Sequence, residues 1–293
     1  MYYFDLITEQ IEASRDNMKT ISAKQKHEHS PRTDDVKLTS DKQGHKYGLK
    51  IDNVQITTAK QAEILHKAKG NYTMITCKSI LSHSRTVSDY VALTLSKTIV
   101  RYVKESSKKQ RKEVCVVGLG NSSLIADSLG SRVAGNLLIT RGMPKESDAK
   151  LGTLSAFSPG VLGINGIETF DIIAGVLNRV NPDVLIVVDA LCASDVQRLG
   201  CCFQISDAGI VPGAGIDNAR RAINKQTLGM PIIALGVPLM VYARTLCSGR
   251  LTDGANELVV TPKDIDFYVK TCAHIIAAAI NLAVHGEECF NFL

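Results

Sequence analysis

This chain contains no Gly-x-Ser-x-Gly, no His-Glu-x-x-His and no Cys-x-x-Cys. The first absence removes the strand-to-helix elbow of a serine hydrolase, and the seven histidines fall in early segments and the last helix, away from every glycine-rich turn. The others remove a helix-borne zinc pair and a paired-cysteine zinc or redox motif. The most apolar late stretch, His274 to Val284, is about half of the ~20 residues required to cross a bilayer and reads as a buried helix, so no membrane span is expected. The opening Met1-Tyr2-Tyr3-Phe4-Asp5 lacks the basic-then-apolar order of a secretory signal, so a cytoplasmic location is expected. A net charge of +5, mixed along the chain, calls for neither a nucleic-acid nor a membrane partner. The eight cysteines, spread over a long chain, do not read as a disulfide framework: Cys77, Cys115, Cys192 and Cys247 read as buried thiols, and the adjacent Cys201-Cys202 pair could ligate a metal or sense redox state, although strand packing with the two on opposite faces is the better reading.

What is present separates into two parts. Residues 1–45 are polar, only the first dozen hint at an amphipathic helix, and the segment reads as a flexible arm. Residues 46–293 read as a single α/β domain. Strands are expected at Leu49–Thr57, Tyr72–Cys77, Glu113–Gly118, after Pro182-Asp183, at Cys201–Ile205, Ile232–Leu235 and Leu258–Val260. Helices are expected at Lys60–Ala68, Val87–Val103, Asp127–Leu138, Glu168–Val180 and Lys263–His285. No internal repeat or sustained heptad occurs. The alternation of strands and helices predicts an α/β fold with a mostly parallel twisted sheet and helices on both faces.

Two apolar runs lead to carboxylates. Val116-Val117-Gly118-Leu119-Gly120-Asn121 precedes Asp127, and Val184 to Val188 ends at Asp189. Buried parallel strands deliver such residues to the C-terminal edge of a sheet, where open α/β folds keep their ligands. Asp127 also suits a helix N-cap. Gly118-Leu119-Gly120 has Ser123 where a dinucleotide fingerprint has its third glycine, so a tight turn that lets backbones approach is the better reading. Pro212-Gly213-Ala214-Gly215 is a second flexible loop, able to present N–H groups to an anion or an oxyanion, or simply to turn. Two carboxylates in one small site cannot both ionise cheaply, so one can hold a proton while the other polarises a water. A divalent ion between them would replace that proton. The residues alone leave both mechanisms open.

With these segments in order, the chain resembles the germination protease family of endospore-forming bacteria. The similarity runs through Val116–Asn121 with Asp127 and Leu129-Gly130, Asn136 to Arg141, Ser158-Pro159-Gly160-Val161 and Gly166-Ile167-Glu168-Thr169. It continues in Asp189-Ala190-Leu191, Gln204 to Asp207, Gly236-Val237-Pro238 and Thr261-Pro262-Lys263, covering about residues 46–285. The resemblance implies a core like that of hydrogenase maturation proteases, phosphorylase/hydrolase-like in class, and an endopeptidase that degrades small acid-soluble spore proteins in the cytoplasm of the developing spore or the spore core. It also implies a homotetramer, and a zymogen that removes its own N-terminal segment, the arm then being a propeptide.

By the same resemblance Asp127 and Asp189 are the catalytic pair. Gly118, Gly120 and Asn121 shape the loop around the water, and Ser158, Glu168 and Asp207 are supporting candidates. No cofactor is expected; in a metal-dependent, maturation-type enzyme Asp127 and Asp189 would be the ligands. Arg32-Thr33-Asp34 resembles the Arg-Thr-Asp found near the family's processing site, which implies cleavage within about residues 25–45. Two departures, a short connection over 239–257 and Tyr242 where the family usually has an aspartate, point to the alternative of an inactive member with a binding or regulatory role.

Overall fold

The computed structural model describes residues 5–14, 36–41, 46–106, 112–143, 151–214, 220–246 and 258–291. Its centre is set by the two apolar runs. Strands β4 (Glu113–Gly118) and β6 (Val184–Ala193) pair in parallel, Val114 opposite Val184 and Gly118 opposite Val188. Because successive side chains of a strand point to opposite faces, each run feeds two cores. Val114, Val116, Val184, Ile186 and Val188 join the larger one, beneath α3 (Arg85–Ser106), α4 (Leu129–Gly135) and α9 (Ile265–His285). Cys115, Val117, Leu185 and Val187 pack instead on Phe170, Ile173 and Leu177 of α6 (Thr169–Val180). By length and composition α9 would suffice to cross a membrane, but here it is a core helix lying along α3 and α4.

Strand β5 (Thr153–Phe157) flanks β4, and β8 (Ile232–Tyr242) flanks β6, completing a parallel quartet. The far side of β8 pairs antiparallel with β7 (Cys202–Ser206), followed by β3 (Gly70–Thr76), β2 (Lys50–Ile56) and β1 (Lys37–Asp41), all antiparallel. The two-residue β9 (Val259–Val260) closes on the end of β8. Short helices α2 (Ala59–Leu65), α5 (Leu162–Asn165), α7 (Lys225–Leu228) and α8 (Ala243–Leu246) lie in connections. The α/β architecture is as expected, with a mixed sheet; parallel pairing is confined to the quartet. Alternation in a sequence marks a strand but carries no direction, and β3 finds its partner β7 some 130 positions away.

Several local expectations are corrected. The flexible-arm reading does not hold for residues 5–14 and 36–41. Residues 7–14 form a helix, α1, with Leu6 and Ile7 fully buried and Ile11 nearly so, and residues 37–41 form β1. Apolar residues at 6, 7 and 11 give one adhesive helix face, a signal that the polar average of the segment hides. Residues 15–35, including Arg32-Thr33-Asp34, lie outside the described residues. The helix expected from Asp127 begins at Leu129, after a 3-10 turn over Ile125–Asp127, and ends at Gly135. Strand β5, with Thr and Ser among its five residues, carries too weak an apolar pattern to announce itself. Strand β8 runs on through Pro238, where the pairing with β6 shifts register between Leu191 and Cys192, a place where the missing N–H of proline costs no ladder bond.

Candidate active site

The ladder between β4 and β6 ends with Gly118 opposite Val188 and one further bond, Leu119 N–H to Val188 O at 2.8 Å. There β4 turns away and β6 continues, so Asp189 is the first β6 residue past the end of its neighbour. It is 7% exposed and its Oδ1 accepts the N–H of Ala190 at 2.9 Å.

The turn that β4 makes depends on close backbone approach. A Cβ on Gly118 would lie 2.0 Å from Gly130 O, and a Cβ on Gly130 would lie 2.4 Å from Leu119 N. The two glycines thus let the first turn of α4 rest directly on the strand end. Gly120 has φ +99°, and a Cβ there would fall 2.0 Å from Asp127 O and 2.8 Å from its Oδ1. Folded back in this way, the loop presents the Asn121 N–H to Asp127 Oδ2 at 2.7 Å. The glycines therefore serve packing, as the tight-turn reading has it. Asp127 is not the N-cap of α4, a position held by Ser128; its carboxylate instead turns back to its own loop.

Asp127 and Asp189 line one cavity of about 370 Å³. Leu124, Leu162, Val211 and Met240 supply apolar wall, while Glu168 and Arg220 form a polar side with Arg220 Nη1 3.4 Å from Glu168 Oε1. Burial pushes the Asp189 carboxyl well above the usual carboxylate range; the neighbouring charges of Asp127 and then Asp5 add to this, and the Ala190 N–H only partly opposes it. Burial also raises Asp127, opposed by the Asn121 N–H. The pair is thus unequal: Asp189 is the better holder of a proton, and Asp127, with a charge-assisted hydrogen bond, the better carboxylate. Such a pair can take a proton from a water and give one to a substrate. Among the described residues no three His, Cys, Asp or Glu side chains converge as a metal cradle.

The other expected site residues divide. Gly120, Asn121 and Glu168 line the cavity, and Gly118 lies beneath it against Gly130. Ser158 is exposed and outside the lining. Asp207 is also outside it: its carboxylate binds the N–H and the side-chain amide of Asn71 at 2.6 and 2.7 Å, tying the end of β7 to the start of β3. Of the second flexible loop, Pro212 and Gly213 reach the cavity. Tyr242 is buried at the end of β8 and does not line the cavity.

Among the charged residues that line the cavity, two escaped the sequence reading, Arg220 and Asp5. Arg220 follows a loop with no pattern to mark it. Asp5 comes from the supposed arm: its Oδ2 accepts the N–H of Cys192 at 2.8 Å, and it lines the same cavity as the aspartate pair. The buried face of α1 was the only available signal for it.

The family described as "Germination protease" (Peptidase_A25) matches residues 11–253 of the chain. A germination protease of Caldanaerobacter subterraneus subsp. tengcongensis is 35% identical over 259 residues, covering 74% of this chain and 79% of that one. A germination protease of Geobacillus sp. (strain WCH70) is 38% identical over 298 residues, covering 77% and 80%. Among solved structures, a [NiFe] hydrogenase maturation protease HycI from Thermococcus kodakarensis KOD1 is 18% identical with a TM-score of 0.37, covering 59% of this chain and 94% of that chain.

Proposed function

This chain belongs to the germination protease family and is a peptidase, and we propose that it degrades small acid-soluble spore proteins by the joint action of Asp127 and Asp189 on a water molecule. The observation that carries this reading is the pair of unequally buried carboxylates facing one cavity. In the reaction the Asp127 carboxylate removes a proton as the water oxygen bonds to the scissile carbonyl carbon, and the Asp189 carboxyl donates its proton to the carbonyl oxygen. As the tetrahedral intermediate collapses, the C–N bond breaks and the amine leaves with a proton from Asp127, while Asp189 recovers its own. The loop shaped by Gly118, Gly120 and Asn121 holds Asp127 in place.

The working enzyme on this reading is a homotetramer in the cytoplasm of the developing spore or the spore core, made as a zymogen and cut within about residues 25–45. The decisive experiment follows cleavage of a purified small acid-soluble spore protein by the processed chain, beside Asp127→Asn and Asp189→Asn, with and without chelator. Loss of cleavage in both variants and indifference to chelator is the expected result. Cleavage that chelator abolishes overturns the two-carboxylate mechanism, and no cleavage by the unsubstituted chain overturns the substrate assignment.

A further inference from the structure

The cavity that holds Asp127 and Asp189 also has a charged pair that takes no part in moving protons, Glu168 and Arg220. Their pairing is loose. Arg220 Nη1 stands 3.4 Å from Glu168 Oε1, the two side chains are 39% and 42% exposed, and an ion pair in such a setting is worth little. Among the described residues neither side chain has a second hydrogen-bond partner. The charges that shift Asp189 are those of Asp127 and Asp5, so the loose pair stands apart from the proton-handling one.

What is fixed is the place from which each side chain reaches. Arg220 donates its backbone N–H to Pro212 O at 2.9 Å, and Ile210 and Ile223 exchange backbone bonds of 3.0 and 2.8 Å at the base of the same loop. Arg221 lays its guanidinium on the ring of Phe170, 3.7 Å from the centroid, and that ring belongs to the core beneath α6. Glu168 precedes α6, and its carbonyl accepts the N–H groups of Asp171 and Ile172 at 2.9 and 3.2 Å. Two firmly held backbones thus carry a free-turning donor and a free-turning acceptor, side by side, into a cavity whose other walls are largely apolar. A donor beside an acceptor is the complement of a peptide group, whose N–H and C=O need partners once they leave water.

Resting on the peptidase reading above, we propose that Glu168 and Arg220 form a main-chain clamp for the substrate: they part on binding, the Glu168 carboxylate accepts an N–H of the peptide, and the Arg220 guanidinium donates to a neighbouring C=O. Parting costs little because the pair is exposed and loose, while each new bond has one charged partner. The clamp lays the peptide across the cavity so that its scissile carbonyl comes to the aspartates. Because it grips the main chain, it acts whatever the side chains of the substrate are.

The test begins with binding. The cavity exists with the N-terminal residues in place, so the full chain carrying Asp127→Asn is used, with short overlapping fluorescent peptides of a small acid-soluble spore protein, and the tightest binder is carried forward. Replacing its amides one at a time by esters deletes a single N–H each time; at one position this should weaken binding roughly tenfold, the worth of a hydrogen bond to a charged group. Glu168→Leu should weaken the amide peptide as much, and should bind the amide and that ester alike. Glu168→Gln keeps an acceptor and loses the ion pair, and should restore most of the binding. Arg220→Leu should weaken binding by a similar factor. In cleavage by the chain with Asp127 intact, Glu168→Leu and Arg220→Leu should raise KM to the same degree, with kcat within about twofold and its pH profile unmoved, as expected when binding common to ground and transition states is lost.

Glu168→Gln as poor as Glu168→Leu would make the ion pair itself the requirement and overturn the clamp. An ester scan with no sensitive position would do the same, as would a loss in Arg220→Leu confined to peptides with an acidic side chain. Binding in the expected pattern without cleavage by the unsubstituted chain upholds the clamp and sinks the peptidase reading. Cleavage whose KM ignores both residues upholds the peptidase and sinks the clamp.

Discussion

Strands β6 and β7 each run from buried apolar residues into an aspartate, and the two aspartates meet opposite surroundings. Asp189 stays inside the fold, holds a single N–H bond from Ala190, and feels two other carboxylates. Asp207 emerges at the surface and spends both oxygens on Asn71. The difference lies in the neighbours. The end of β6 outruns β4 and opens into a cavity, whereas the end of β7 is held beside β3 by antiparallel pairing. A carboxylate with satisfied hydrogen bonds at a surface is a structural tie; one buried with like charges is poised to move protons.

The sharpest way to break that comparison is substitution at the aspartates themselves. Asp127→Asn or Asp189→Asn should lower kcat of the processed chain by roughly 10²–10⁴-fold, the usual worth of general acid–base action, with an unchanged circular dichroism spectrum. Asp207→Ala should leave kcat within about twofold. Gly120→Ala is expected to come next, costing about 2–4 kcal/mol in urea unfolding, because its Cβ has no room beside Asp127 and its φ is positive. Activity should fall with it.

The pH dependence sharpens the contrast. A carboxyl whose folded pKa is raised binds its proton more tightly in the native state than in the unfolded chain. The stability it contributes is present below the unfolded value and is lost as pH rises through the folded one. Asp189 falls in this class through burial and the charges of Asp127 and Asp5. Asp189→Asn should flatten that part of the decline in unfolding free energy measured by urea titration across pH. The alkaline limb of kcat/KM should follow the same proton. In Asp127→Asn, one repulsion is gone and the Asp189 carboxyl should titrate at lower pH by ¹³C NMR. Smallest of all, Asp207→Ala should cost about 1–2 kcal/mol for two hydrogen bonds at a half-open turn, independent of the chemistry.

The strongest signals in the sequence were the ones closest together along the chain. Val114–Val117 and Val184–Val188 announced buried strands because every side chain is apolar, and that is possible only where both faces are covered. Their carboxylates could be placed at one sheet edge before any coordinate was known. The glycines at 118 and 120 signalled close approach, though Gly130, which needs it equally, showed only as part of a stretch similar to the family. Ser158 and Asp207 lay in stretches similar to the family and yet stand outside the cavity, since position beside a motif does not fix where a side chain ends up. The docking of residues 5–14 was illegible for a further reason: Leu6, Ile7 and Ile11 are few, and the backbone groups that meet the Asp5 and Glu9 carboxylates sit about 185 residues away in sequence.

By itself the amino-acid sequence determined the central strands, the major helices and the two aspartates at the ends of their runs, because burial pattern and turn chemistry are local properties of a chain. Tertiary structure alone decided that half the sheet is antiparallel, that Asp127 turns to Asn121 rather than capping a helix, and that Asp5 shares the cavity with Asp189. Each of these depends on which distant backbone groups lack a partner, and that is fixed only when the whole chain has closed around them.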